Sequence, residues 1–281
     1  MTELPIAYQR NIIARLVFSY ILVFLIYRFF INATPSNLLG PPLKILNFDF
    51  TYWVYQLLHL PDVIVYNQAG AAIFDIALFA SCILCILFPL KNGLAIIFGI
   101  LFFIYAITYN TYIASHSHPL AVTMLISIPF FFKQDKYWKI LWEGMRYYIC
   151  YIYTISFVWK VFIGKSFFFW DQGVNSVKLN LVEYMYHFPH TTASSVYRYL
   201  ITHPYLLNIG HIIIVLLEGI MVIGFFTKKF DRQLMFVPIL IHGATYFATD
   251  VFFMEMLVGT FTFLSIKNII TINKKLSFIT R

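Results

Sequence analysis

Charged residues are scarce in this chain. They make up 11% of its 281 residues, and 60% of the residues are hydrophobic, whereas an average soluble domain is about 25% charged. The mean hydropathy is +0.77. A soluble fold has too little polar surface to cover so much apolar area, whereas lipid solvates such area directly. The composition therefore predicts an integral membrane protein and argues against a soluble enzyme.

Cysteine is also rare. Cys82, Cys85 and Cys150 all lie in apolar stretches, which argues against the disulfide framework of a secreted protein. Cys82 and Cys85 have a C-x-x-C spacing, but thiolates are disfavoured inside an apolar span, so we interpret both as packing residues. The start, MTELPIAYQR, lacks a basic region followed by a cleavage site, so we expect the first span to be retained.

Long apolar stretches predict an all-α membrane protein with about eight transmembrane helices in a single domain, 1–281. A helix needs about 20 apolar residues to cross the hydrocarbon core. The candidate spans are 11–30, 68–90, 93–113, 119–132, 144–164, 208–227, 232–248 and 250–267. The external segments 31–67 and 166–207 are rich in aromatic residues and predict amphipathic helices on the membrane surface.

The net charge of +8 comes from basic residues near the ends of spans, with no separate basic domain that would indicate nucleic-acid binding. With the N-terminus inside, the cytoplasmic segments hold Arg10, Lys91, Lys133, Lys136, Lys139, Arg146, Lys228, Lys229, Arg232, Lys267, Lys274, Lys275 and Arg281. The external segments hold Lys44, Lys165, Lys178 and Arg198. Because basic residues favour cytoplasmic loops, we expect a multi-pass protein of the cell (inner) membrane with both termini in the cytoplasm.

Several ionisable side chains lie in or beside the predicted spans, where each costs roughly 3 kcal/mol unless it faces a cavity or a partner. The topology places one group of them near the external face: Asp75, His116, His118, Lys160, His211, His242, Asp250 and Glu255. An amine, imidazoles and carboxylates at one depth can form a proton-transfer site, because burial favours the neutral, basic form of lysine. Structural interpretations stay open, with Lys160 reaching the interface and Glu218 or Asp75 joining helices by hydrogen bonds.

Six features follow one another in a recognisable order. They are Arg15 in the first helix, SHSHPL at 115–120, YTISFVWK at 153–160, FWDQGVNSV at 169–177, LLEGIMVIGFF at 216–226 and a late helix with His242. In this order the chain resembles the HTTM family, the membrane region shared by vitamin K-dependent gamma-carboxylase and many bacterial proteins. The resemblance covers about residues 10 to 266.

The resemblance implies a site that acts with a quinone or quinol. In the carboxylase the corresponding lysine is the base that deprotonates reduced vitamin K, with a histidine assisting. Carried over, Lys160 is the base, with Lys165 as a second candidate, and His116 or His118 is the helper. The remaining candidates are His242 for catalysis and Glu218, Glu255 and Trp170 for cofactor binding, and no metal ligand is expected.

The carboxylase also has a large extracytoplasmic C-terminal domain, whereas this sequence ends shortly after its last predicted span. We therefore do not expect glutamate carboxylation. Two other functions stay open. One is a non-catalytic accessory protein that acts with a secreted peptide or a membrane-protein partner during its maturation or export. The other is a DoxX-like thiol–quinone oxidoreductase, which would require Cys82 and Cys85.

Overall fold

Every regular element that the structure describes is helical, which confirms the all-α fold class. The structure is a computed structural model that describes residues 5–38, 50–112, 118–168, 171–249 and 253–264. The α-helices in these ranges are α1 (Ile6–Phe30), α2 (Phe50–Leu57), α3 (Leu60–Ile64), α4 (Gln68–Leu87), α5 (Asn92–Tyr112), α6 (His118–Ser127), α7 (Asp135–Val158), α8 (Gln172–His187), α9 (Thr192–Thr202), α10 (Pro204–Ile220), α11 (Asp231–Thr249) and α12 (Met254–Leu257). Helix α7 continues as a π turn, Trp159–Ile163, and several other helices end in 3-10 turns.

Four of the described segments are long and apolar enough to cross a membrane: Ile6–Asn37, Gln68–Leu87, Asn92–Tyr112 and Pro204–Phe225. This supports the predicted membrane character. Two apolar helical segments are shorter, Leu120–Phe131 and Met254–Phe263. Helix α7 is also long, but its first half carries several charged residues, which lower its hydropathy. The count of eight spans stays a prediction.

The chain divides into two compact units, Met1–Met145 and Arg146–Arg281. In the first unit α1 packs against α4, and its buried residues recur every three or four positions, as in Ile13, Val17 and Ile21. This spacing places them on one helix face. Large apolar side chains such as Phe30 are exposed on other faces, as expected for a helix in contact with lipid.

In the second unit α8, α9 and α10 pack around a small apolar core formed by Val174, Val177, Leu181 and Leu207. A Cβ on Gly173 would lie 2.2 Å from the Leu207 carbonyl oxygen, so only glycine allows α8 to approach α10 so closely. The helices α8 and α9 occur within the segment in which amphipathic helices were predicted. Their location at the membrane surface stays a prediction.

Arg146, which was counted among the cytoplasmic residues, is almost fully buried within α7. Its guanidinium binds the Asp231 carboxylate at 2.6 Å, and it donates to the carbonyl oxygens of Gly224 at 2.8 Å and Thr227 at 3.1 Å. The carboxylate and carbonyls replace water around the buried cation. Arg146 thereby joins α7 to the turn that precedes α11.

Candidate functional site

Lys160 lies in the π turn that continues α7. The turn has the wide hydrogen bond of a π helix, from the Gly164 N–H to the Trp159 carbonyl at 2.9 Å. Single π turns inside α-helices are rare and occur frequently at functional sites. The expected lysine therefore stands at an irregular point of its helix.

Lys160 forms an ion pair with Glu218 of α10. The distance from Lys160 Nζ to Glu218 Oε1 is 2.5 Å, and the side chains are 32% and 6% exposed. A Cβ on Gly219 would lie 3.0 Å from the Phe157 ring, so a glycine beside Glu218 brings α10 close to α7. The pair is thus partly shielded from solvent, and both its members were predicted site residues.

A second polar pair links Tyr153 of α7 to His242 of α11. Tyr153 Oη and His242 Nε2 are 2.8 Å apart, and both side chains are buried. Tyr153 precedes Lys160 by two helical turns, which places both on about the same helix face. The charge of Lys160 is close enough to act on His242, and that of Glu218 to act on Tyr153. The two pairs therefore belong to one cluster, the Lys160 cluster.

The other ring nitrogen of His242, Nδ1, is buried without a hydrogen-bond partner among the described residues. An unsatisfied buried polar atom costs about 1–3 kcal/mol and requires an explanation. The Phe253 ring packs against the imidazole with its centroid 5.6 Å away. His242 Nδ1 is therefore a buried polar atom that can form one further hydrogen bond.

His211 lies at the more exposed side of the Lys160 cluster. Its Nε2 is 3.3 Å from the Ser166 hydroxyl, and the charge of Lys160 also acts on it. The Ser166 hydroxyl donates to Gln172 Oε1 at 2.8 Å. His211 precedes Glu218 by seven residues in α10, so both lie on about the same face of that helix. His211 was one of the ionisable residues predicted at the depth of Lys160.

The structure brings some of the predicted site residues together, places others elsewhere and does not describe the rest. The structure brings Lys160, Glu218 and His242 together, and it places Glu255 in the buried part of α12. Lys165 is exposed and does not replace Lys160 as the paired lysine. Other predicted positions lie outside the described residues: His116, Trp170 and Asp250. His118 begins α6, but only its backbone is described.

Two further candidates have structural contacts in the first unit. Asp75 accepts hydrogen bonds from Ser36, from the backbone N–H at 3.0 Å and from the hydroxyl. Cys82 and Cys85 are buried and carry free thiols, and Cys82 Sγ contacts the Phe18 carbonyl at 3.3 Å. These contacts favour the structural interpretation of all three residues. No group of three potential metal ligands occurs in the part of the chain that the structure describes.

The first unit also contains an apolar cavity of about 250 Å³ beside α2 and α5. Its lining residues are Phe50, Thr51, Val54, Tyr55, Leu58, Leu60, Phe103, Ile104 and Ile107. The Tyr55 hydroxyl is hydrogen-bonded to Thr108 at 2.8 Å, and burial raises the pKa of the Tyr55 phenol to about 12. No residue that lines this cavity has an ionised side chain, and none of them is a candidate catalytic residue.

Three residues that contact the predicted site residues of the second unit were not predicted from the sequence: Tyr153, Ser166 and Gln172. Tyr153 could have been found, because a polar aromatic residue two helical turns before Lys160 faces the same side. Ser166 and Gln172 give no comparable signal, because neutral polar residues are common in surface segments.

Comparison of the chain with family models, with curated proteins and with solved structures finds no match. A function for this chain is therefore inferred from the geometry of these residues.

Proposed function

We propose that this protein is a multi-pass membrane enzyme of HTTM type, in which the Lys160 cluster moves a proton from a quinol-like, lipid-soluble cofactor. The observation that carries the proposal is the Lys160–Glu218 pair, which lies beside the buried Tyr153–His242 pair. Ionisable groups inside a membrane protein are costly and usually serve a functional pathway or pair with one another. Here two pairs act on each other.

The groups of the cluster suit different parts of a proton transfer. Inside an apolar bundle the Lys160–Glu218 pair can hold one proton on either partner, because a neutral amine beside a neutral acid avoids two buried charges. With the proton on Glu218, the Lys160 Nζ has a free electron pair and is a base. After Nζ accepts a proton, the resulting ammonium donates a hydrogen bond to the protonated Glu218 carboxyl, and the negative charge lies on the deprotonated proton donor.

The residues fit a quinol in one testable respect. A bound quinol supplies an acidic hydroxyl, and His242 Nδ1 is a buried polar atom that can bind an oxygen of such a ligand. Tyr153 orients the imidazole through its bond to Nε2. Lys160 would then accept the proton at Nζ, and the protonated Glu218 would accept a hydrogen bond from the ammonium. The resemblance to the carboxylase core supports Lys160 as the base, while the helper histidine proposed from the geometry is His242.

The test uses 2-methyl-1,4-naphthoquinol as the probe, added without oxygen to the purified protein in lipid nanodiscs. Absorption spectra measure how much probe is bound and what fraction has lost a proton. Since Lys160→Met removes the base, we expect the deprotonated fraction to fall by about tenfold or more. Lys178→Met, which changes an exposed lysine of α8, is the matched control. A wild-type protein that does not bind the probe, or a Lys160→Met variant that deprotonates it normally, contradicts the proposal.

We also propose eight crossings of the inner membrane, cytoplasmic termini and interfacial positions for α2, α8 and α9. The support is the excess of basic residues in the predicted cytoplasmic segments and the exposed apolar side chains of α8, such as Leu179 and Tyr186. Fusions of a periplasm-dependent phosphatase test the topology. Activity is expected for fusions within 31–67 and 166–207, and not for fusions within 133–139. The opposite pattern would invert the topology.

A further inference from the structure

The π turn that carries Lys160 ends in a hydrogen-bond network centred on Ser166. Ser166 is 1% exposed, although it lies in the connection between two helices. Its backbone N–H donates to the carbonyl of Lys160 itself at 2.9 Å. Because Ser166 is buried and hydrogen-bonded to the backbone of Lys160, it restrains the end of the π turn.

The side chains of Ser166 and Gln172 complete the network. The Ser166 hydroxyl donates to Gln172 Oε1 at 2.8 Å, and Gln172 Nε2 donates to the carbonyl of Gly164 at the end of the π turn. Because the hydroxyl hydrogen is used by Gln172, the Ser166 oxygen accepts from His211 Nε2. Gln172 is the first residue of α8, so the network joins the next helix to the turn.

We infer that Ser166 and Gln172 are positioning residues that hold the π turn so that Lys160 meets Glu218. The inference rests on the proposed function, because it assigns these residues a role in that site. A π turn encloses one more residue in its hydrogen-bonded loop than an α turn, so its return to α geometry would change the direction of the Lys160 side chain. Bonds to the carbonyls of Lys160 and Gly164 oppose this change.

The reactivity of the Lys160 amine tests the inference without any ligand. The purified protein is methylated with formaldehyde and cyanoborohydride, and peptide mass spectrometry measures the rate at each lysine. In the wild type the ion pair protects Lys160 relative to the exposed Lys178 and Lys229. Gln172→Met has a similar length and removes both side-chain hydrogen bonds. We expect it to raise the Lys160 rate about tenfold and to leave the reference lysines unchanged.

Ser166 provides the second variant and the rescue. Ser166→Ala is expected to raise the Lys160 rate about fivefold, and Ser166→Thr, which keeps a hydroxyl, is expected to restore most of the protection. Gln233→Met on the exposed face of α11 and Ser195→Ala on α9 are matched controls. Glu218→Gln gives the rate expected when the ion pair is lost. These rates separate positioning from a general loss of structure, which would change every lysine.

A Lys160 rate within twofold of wild type in both Gln172→Met and Ser166→Ala would overturn the inference. Equal increases at Lys160 and at the reference lysines would also overturn it, since they indicate general unfolding. The naphthoquinol experiment is independent of this measurement. If the probe does not bind but Lys160 protection depends on Ser166 and Gln172, the proposed function fails while the positioning role stands.

Discussion

The two units use their buried charges differently. In the first unit the Arg28 guanidinium lies against the Phe24 and Tyr109 rings and donates to Tyr109 Oη at 2.6 Å, and Asp75 binds a backbone N–H. In the second unit Lys160 and Glu218 neutralise each other beside a tyrosine–histidine pair. The first arrangement joins elements, whereas the second brings several ionisable groups together.

This difference shows why depth in the membrane is a poor guide to function. Asp75 and Lys160 were both expected near the external face, but their contacts differ in kind. Asp75 accepts from Ser36 at a turn, which is a helix-joining role. Lys160 instead meets a second ionisable group and acts on two imidazoles. The chemistry of the partner, more than the cost of burial, separates a structural charge from a candidate site.

The largest expected effect concerns Arg146, a charge of the second unit with contacts like those of the first. Arg146→Ala leaves Asp231 and two carbonyls without their partner, and we expect it to lower the free energy of unfolding by about 3–5 kcal/mol. Arg198→Ala, at an exposed position of α9, is the control and is expected to change little. Equilibrium unfolding in mixed micelles measures both. An effect of Arg146→Ala on the free energy of unfolding that is as small as that of Arg198→Ala would contradict the structural role of Arg146.

Loss of the Lys160–Glu218 pair is expected to lower the free energy of unfolding by an intermediate amount. The size of this effect should depend on whether one or both residues are replaced. Lys160→Met leaves the Glu218 carboxylate without its partner and, because Lys160 is partly exposed, should lower the unfolding free energy by about 2 kcal/mol. Adding Glu218→Gln removes that charge, so the double variant should recover most of the loss. The double variant should still fail to deprotonate naphthoquinol. A double variant that is as unstable as the sum of its single variants would show that Lys160 and Glu218 are not energetically coupled and would contradict the pair.

Replacement of Asp75 should lower the stability of the protein without changing naphthoquinol deprotonation. Asp75→Ala removes the acceptor of the Ser36 hydrogen bonds and is expected to lower the unfolding free energy by about 1.5 kcal/mol. Naphthoquinol deprotonation should stay at the wild-type level, because the Lys160 cluster is unchanged. Ser81→Ala, which removes a local hydroxyl–carbonyl bond in the same helix, is the control. Loss of deprotonation in Asp75→Ala would contradict a purely structural role for Asp75.

The sequence predicted the helices better than the site. Apolar length alone located α4 and α5 to within a few residues, because a membrane span is a local property of about 20 residues. The start of α10 at Pro204 lies four residues before the predicted span, since proline suits the first helical position. Helices within 166–207, where α8 and α9 occur, were also expected from the amphipathic pattern.

The contacts of the site depend on packing between distant segments. Lys160 and Glu218 are 58 positions apart, and nothing in either segment states that they meet. Their identities were predicted because ionisable residues stand out in apolar surroundings. Ser166 and Gln172 do not stand out in this way, and their role depends on a π turn that no local pattern indicated. The helper histidine was predicted within SHSHP, whose side chains lie outside the described part of the chain, whereas the histidine of the Lys160 cluster, His242, lies in a helix late in the chain.

The smallest effect should come from Lys165, the second candidate lysine. Lys165 has φ of 51°, in the left-handed region that glycine adopts without a steric penalty. Lys165→Gly should therefore raise the unfolding free energy by about 0.5–1 kcal/mol, the steric relief being reduced by the greater freedom of glycine in the unfolded chain. Naphthoquinol deprotonation should not change, because the paired amine is that of Lys160. Lost deprotonation would move the base from Lys160 to Lys165, and lost stability would show that the left-handed turn is not adopted.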